Sequence, residues 1–239
     1  MFAEKIAALA MEKCGGLHLQ EAIVGLGFTL VCLDGGACGL AYTLRDELER
    51  GCDVFGEAGR LAGREAGEVL AWIGSGSVVA SAVGLAAANA LLQPPEEAFA
   101  SDLMNMLSLR AGERVVTVGR FRPMEPMLRK SGAQLEVIER EDPLDSLRDC
   151  DVALITATSI INDTMEDILS AMGGAREVAI LGPSTPYAPA AFAGTPVTLL
   201  AGSAVADADR VRAVVREGGG TQTMEKSLRR WAVRVRKGG

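Results

Sequence analysis

Aromatic side chains are scarce: two Trp, two Tyr and six Phe make up only 4% of the chain. So few rings suit close helix-on-sheet packing better than an aromatic-rich recognition surface. Histidine is nearly absent as well. His18 stands alone, with no Cys or Asp partner near it, which disfavours both a Ser/His/Asp triad and a zinc site built on it. It reads as a surface or strand-edge residue. The cysteines at 14, 32, 38, 52 and 150 form no CxxC pair and are odd in number. They read as reduced, mostly buried thiols in a cytoplasmic protein. The opening MFAEKIAALAMEK mixes charges into a helical pattern, without the continuous apolar region of a secretory signal. The uncharged stretch Val69 to Pro95 is interrupted by Gly74, Ser75 and Gly76. Its remainder, Ser77 to Leu92, reaches about 24 Å as a helix against a hydrocarbon core of about 30 Å, which makes it a core helix. Excess positive charge is missing too. The net charge is −7, and because Thr223 to Gly239 alone carries +5, the rest carries −12. That excludes a nucleic-acid footprint outside the tail, which reads as a solvated terminal face.

What the sequence does have is small aliphatic residues, 28 glycines and 49% apolar content over 239 residues, ample for a core. From Leu19 to Ala41, apolar runs of strand length are broken by Gly25, Gly27 and an Asp34-Gly35-Gly36 turn, which predicts an antiparallel ribbon of two or three strands. Helical patterns follow at Leu61 to Trp72 and Ser77 to Leu92, with Ser77 as the N-cap of the second. The paired prolines of QPPEE, at 93–97, cannot continue a helix and mark a domain boundary. Beyond it the rhythm becomes strand, turn, helix. Strands are expected at 114–119, 135–140, 152–158, 177–182 and 197–202, and helices near 124–131, 164–172 and 207–217. Near-continuous apolar strands alternating with short helices predict a Rossmann-like α/β fold with a mainly parallel sheet.

Ligands of such sheets bind beyond the carboxyl ends of the strands, and the polar residues gather there. The first of these strands ends at Gly119, and Glu139 follows 20 residues later, the offset at which an acid reaches a ribose hydroxyl. Glu139 alone reads equally well as a solvated strand-end acid. The turn VGRFRPME lacks GxGxxG, which disfavours a dinucleotide but leaves room for a mononucleoside such as S-adenosylmethionine. In TATSIINDTMEDIL, Asp163 with Glu166 reads as a capping box. Thr156, Thr158 and Asn162 offer neutral donors and acceptors, for a ligand or for the backbone. After the next strand, Gly182, Pro183, Ser184, Thr185 and Pro186 form a rigid elbow whose hydroxyls are expected to be exposed over the same crevice, facing Asn162. A stiff structural connection is the other reading.

The segments EAIVGLGFTLVCL, SAVGLAAANALL, VGRF, VIERE, ITATSIINDTMEDIL, ILGPSTPYAP, LAGSAV and VREGGGT together resemble the putative heavy-metal chelation family, a bacterial and archaeal group. The resemblance covers nearly the whole chain, most specifically at NDT and LGPSTP. It implies an enolase-N-terminal-like α+β domain at 1–95, a Rossmann-like domain at 96–239, and a site between them. It also implies a methyltransferase-like cleft, or a role in metal handling or in pterin, flavin or siderophore-type synthesis. Its site residues, carried onto this chain, are Glu139, Thr156, Thr158, Asn162, Thr164 and Gly182 to Pro186. The VGRFRPME turn and the GSGS stretch at 74–77 depart from the family's pattern. The expectation is a nucleoside-type or pterin-like ligand in an interdomain cleft, serving group transfer or condensation, with neither nucleic acid nor membrane as partner and a homodimer allowed. The alternative is a non-catalytic metal or metallophore-binding protein, whose soft-metal site would need Cys32, Cys38 or carboxylates to converge.

Overall fold

A computed structural model describes residues 1–48, 55–100 and 102–236. Helix α1 (Phe2–Met11) precedes an antiparallel sheet of β1 (Leu19–Val24), β2 (Phe28–Leu33) and β3 (Cys38–Tyr42), in that spatial order. The short helix α2 (Ala66–Leu70) and the long α3 (Val78–Leu91) follow. Helix α3 starts where Ser77 accepts from the Ala80 amide and is buried along most of its length. Its alanines let β3 come close: a Cβ on Gly39 would stand 2.2 Å from the Ala86 carbonyl oxygen. Helix α2 is shorter than the periodicity predicts. Gly63 takes φ +81, and the Gly63 amide and Arg64 carbonyl bond to Leu19 instead of entering a helix.

The second sheet contains β4 (Arg114–Val118), β5 (Gln134–Ile138), β6 (Val152–Thr156), β7 (Glu177–Leu181), β8 (Leu199–Val205) and β9 (Leu228–Arg234). Its order is β5-β4-β6-β7-β8-β9, parallel except for β9, which runs antiparallel to β8. Between the strands lie α4 (Leu103–Leu107, before β4), α5 (Glu125–Lys130), α6 (Thr158–Ile161), α7 (Met165–Ser170), α8 (Ala208–Arg216) and α9 (Thr221–Met224). Strand β9 corrects the reading of the basic tail as a solvated face. Trp231 and Ala232 are buried, while Arg229, Arg230 and Arg234 pair with Glu96, Glu225 and Glu177.

One apolar core runs through both parts of the chain. Ile6, Leu33 and Leu85 belong to the same buried cluster as Ile155, Ile180 and Phe192, and Phe2 stacks on Phe192 at 5.1 Å. A second layer packs β2 and β3 onto α8 through Leu30, Leu40, Val211 and Val215. Each such side chain contributes about 1.5–3 kcal/mol by its burial. No helix among the described residues is long and apolar enough to cross a membrane.

Three further expectations are corrected. Cys32 and Cys38, expected as reduced thiols, are bonded to each other across the β2–β3 hairpin; Cys14 and Cys150 are buried thiols, and Cys52 lies outside the described residues. His18 does have a partner, since its Nδ1 lies 3.6 Å from Asp34 Oδ2. Asp163 does not cap α7. It takes φ +59, Thr164 occupies the N-cap, and Glu166 accepts from the Phe2 amide at 2.6 Å, which ties α1 to α7.

Candidate functional site

Strand β4 sends its chain to β5 on one side, and the next connection returns to β6 on the other, so the strand order reverses between β4 and β6. A crevice opens at such a reversal, beyond the carboxyl ends of the two strands. Gly119 leaves β4 with φ +90, and a Cβ there would sit 3.0 Å from Thr156 Cγ2 at the end of β6. Glycine therefore serves both the turn and the close approach of the two strand ends. Beside it, the Thr156 and Thr158 hydroxyls hydrogen-bond to each other at 3.0 Å, and both residues are half-buried.

Charged side chains follow the carboxyl ends of the neighbouring strands β4 and β5. Glu139, exposed just after β5, accepts from Arg120 Nε, and this bond is the main reason the Arg120 guanidinium is held protonated more firmly than usual. Arg140 Nη1 lies 2.5 Å from Glu47 Oε2, and Asn162 Nδ2 donates to Glu47 Oε1 at 3.0 Å. Thr164 in turn donates to Asn162 Oδ1 at 2.9 Å. Glu47, 16% exposed, follows β3 in the first part of the chain and so latches that part onto the carboxyl edge of the large sheet. Sequence reasoning missed it, because 115 residues separate Glu47 from Asn162 and no local pattern marks it.

The structure thus gathers Gly119, Glu139, Thr156, Thr158, Asn162 and Thr164 along one edge. The elbow is placed differently. Gly182 (φ +119) and Pro183 are half-buried, but Ser184 and Thr185 are each only 2% exposed and Pro186 is buried. Ser184 Oγ accepts from the Tyr42 amide at 2.8 Å, and Asn89 Nδ2 donates to the Ser184 carbonyl at 3.2 Å and the Leu40 carbonyl at 2.7 Å. The expectation of exposed hydroxyls is corrected: both are buried, and Ser184, bonded to the Tyr42 amide of β3, joins the seam between the two sheets. No hydrogen bond among the described residues links the elbow to Asn162.

Two surface hollows lie elsewhere. One of about 590 Å³ runs between β1 and α8 past Glu21 and Arg212, and one of about 520 Å³ lies at the amino ends of β7 and β8. Neither contains a sequence-predicted site residue. Among the described residues no three His, Cys, Asp or Glu side chains are grouped to hold a metal ion.

The sequence model of a family described as putative heavy-metal chelation matches residues 102–234, and a second model of the same description matches 7–92. Among solved structures, the chain is similar to a protein of unknown function from Pyrococcus horikoshii. That likeness has 24% identity, 98% of this chain and 100% of that one covered, and a TM-score of 0.84. It is also similar to a protein of unknown function from Desulfitobacterium hafniense DCB-2, at 21% identity, 96% and 98% coverage and a TM-score of 0.79. At these identities the likeness shows the fold alone. No curated protein matches the chain.

Proposed function

Taking as premise that the chain belongs to the family described as putative heavy-metal chelation, we propose that it binds a small molecule of nucleoside or pterin type at the β4–β6 strand reversal. The observation that carries this reading is the close approach of Gly119, which has no room for a Cβ, to Thr156 where the strand order reverses, with the Thr156–Thr158 hydroxyl pair beside it. Hydroxyls exchange a mutual hydrogen bond for bonds to a ligand at little cost, because each can both donate and accept. Arg120 and Arg140 supply cationic donors for a polar or anionic part of the ligand, and Glu139 an acceptor for a ribose-like hydroxyl. Glu47 brings the first part of the chain to the same edge, so bound molecules would be held between the two parts. Such groups orient and desolvate bound partners, which is the contribution a group-transfer or condensation reaction needs from them.

A thermal-shift panel of S-adenosylmethionine, adenosine, guanosine, pterin and transition-metal ions tests this. A ligand at about 100 times its Kd adds about 2.7 kcal/mol, or roughly 5–10 °C for a chain of this size. Thr156→Val with Thr158→Val removes the mutual hydroxyl bond and the acceptor of the Thr158 amide, so it should lower the unliganded melt by a few degrees at most, and it should remove the ligand-induced shift. Shifts by metals alone, or shifts that survive the double variant, would contradict the reading and favour the metal-binding alternative or another site.

A further inference from the structure

Two polar atoms on the elements that flank the Gly119 turn are screened from solvent and lack a hydrogen-bond partner among the described residues: Thr117 Oγ1 and Glu125 Oε1. Thr117, 1% exposed, is the penultimate residue of β4. Along β4, Val116 and Val118 join the core shared by both parts, whereas Val115 joins the second cluster, with Leu128 of α5 and the partly buried Phe121 and Met124. Side chains alternate across a strand, so Thr117 faces the same layer as Val115, under the segment that leads from Gly119 into α5. Glu125 opens α5 directly after Met124. It stands three residues before the buried Leu128 of that cluster, and so on the same face of the helix.

A buried donor or acceptor left unpaired is costly, and native structures keep few of them without a reason. We infer that Thr117 and Glu125 are the specificity-determining pair of the seat and receive an N–H donor edge of the ligand, that of a heterocycle bearing an exocyclic amine. The inference rests on the ligand seat proposed above and adds a polarity to it. An ionised carboxylate only accepts, so Glu125 takes an amine and repels an anion, while the Thr117 hydroxyl adapts to either neighbour. The anionic or hydroxyl-bearing end of the ligand therefore points away, toward Arg120 and Arg140. The 2-amino edge is shared by guanine nucleosides and pterins, and matched probes separate the two sources.

The test is isothermal titration of the whole protein with guanosine against inosine, and with pterin against its 2,4-dioxo counterpart, members of each pair differing at the 2-amino position. The amino member of at least one pair should bind about ten- to a hundredfold more tightly, the range of one charge-assisted hydrogen bond. Glu125→Met should shrink that preference to about threefold or less without lowering the unliganded Tm, because it removes an unpartnered atom. Thr117→Val should weaken the amino member alone. Equal affinities within both pairs, a preference that survives Glu125→Met, or a Tm that falls on that substitution would overturn the inference. Binding without preference that Thr156→Val with Thr158→Val abolishes would overturn it while leaving the seat in place. No binding of any of the four probes would overturn the inference, whereas the seat itself stands or falls with the thermal-shift panel.

Discussion

Replacing Ser184 by Ala should destabilise the protein, whereas replacing its neighbour Thr185 by Val should not. Ser184 Oγ accepts from the Tyr42 amide at 2.8 Å within a seam that Asn89 also braces. Removing it leaves that N–H without a partner in a place water reaches poorly. An unpaired buried donor costs about 1–3 kcal/mol, and the half-buried position of Tyr42 argues for about 1–2. At roughly 2–4 °C per kcal/mol for a chain of this size, the melting temperature should fall by about 2–8 °C. Thr185 Oγ1 is equally buried but has no hydrogen-bond partner. Valine fills nearly the same space, so Thr185→Val should hold or raise the melting temperature. Thermal melts followed by circular dichroism, checked by urea titration, read both changes. Equal effects of the two substitutions, or a larger loss at Thr185, would refute the assignment of Ser184 as the atom that joins the seam.

Glu113 supplies a pH test: its carboxylate bonds Arg176 and is only 11% exposed, and this pairing lowers its pKa to about 2. Its contribution is fully present above about pH 4.5 and is lost as the pH falls from there to about 2, so Glu113→Gln should flatten urea stability across that window by no more than about 3 kcal/mol. Peptide mapping without reductant should recover Cys32 cross-linked to Cys38, and recovery of both as free thiols would remove the cross-strand bond from the account. If the division at 95/96 marks two domains, limited proteolysis should nick near Glu96 or Glu97. Because one core spans both parts, the fragments should still co-elute on gel filtration, and separate elution would contradict a shared core. Arg229→Ala removes the partner of Glu96 and should speed the nick.

The parallel strands were legible because both of their faces are buried: residues 152–155 (VALI) and 178–181 (VAIL) are apolar without alternation, as a sheet covered on two sides requires. Strand β9 was not, since LRRWAVR carries three arginines, and only its Trp231–Ala232 pair reports that it lies at a sheet edge. The Cys32–Cys38 bond had a signal that went unused. The Asp34-Gly35-Gly36 turn makes residues 32 and 38 opposite neighbours in the hairpin, as the register shows. Within the site, Gly119 and Thr156 follow from strand ends, which sequence locates well. The burial of Ser184 and Thr185 and the reach of Glu47 do not, because each depends on how the first part of the chain packs against the second, and no local pattern encodes that contact.

The most direct measurement is a crystal structure of the protein with the strongest hit of the thermal-shift panel. The account predicts ligand density at the carboxyl ends of β4 and β6, in contact with Thr156, Thr158 and Arg120, and with its amino edge toward Glu125. Density confined to the hollow between β1 and α8, or a metal ion held away from the strand reversal, would contradict it.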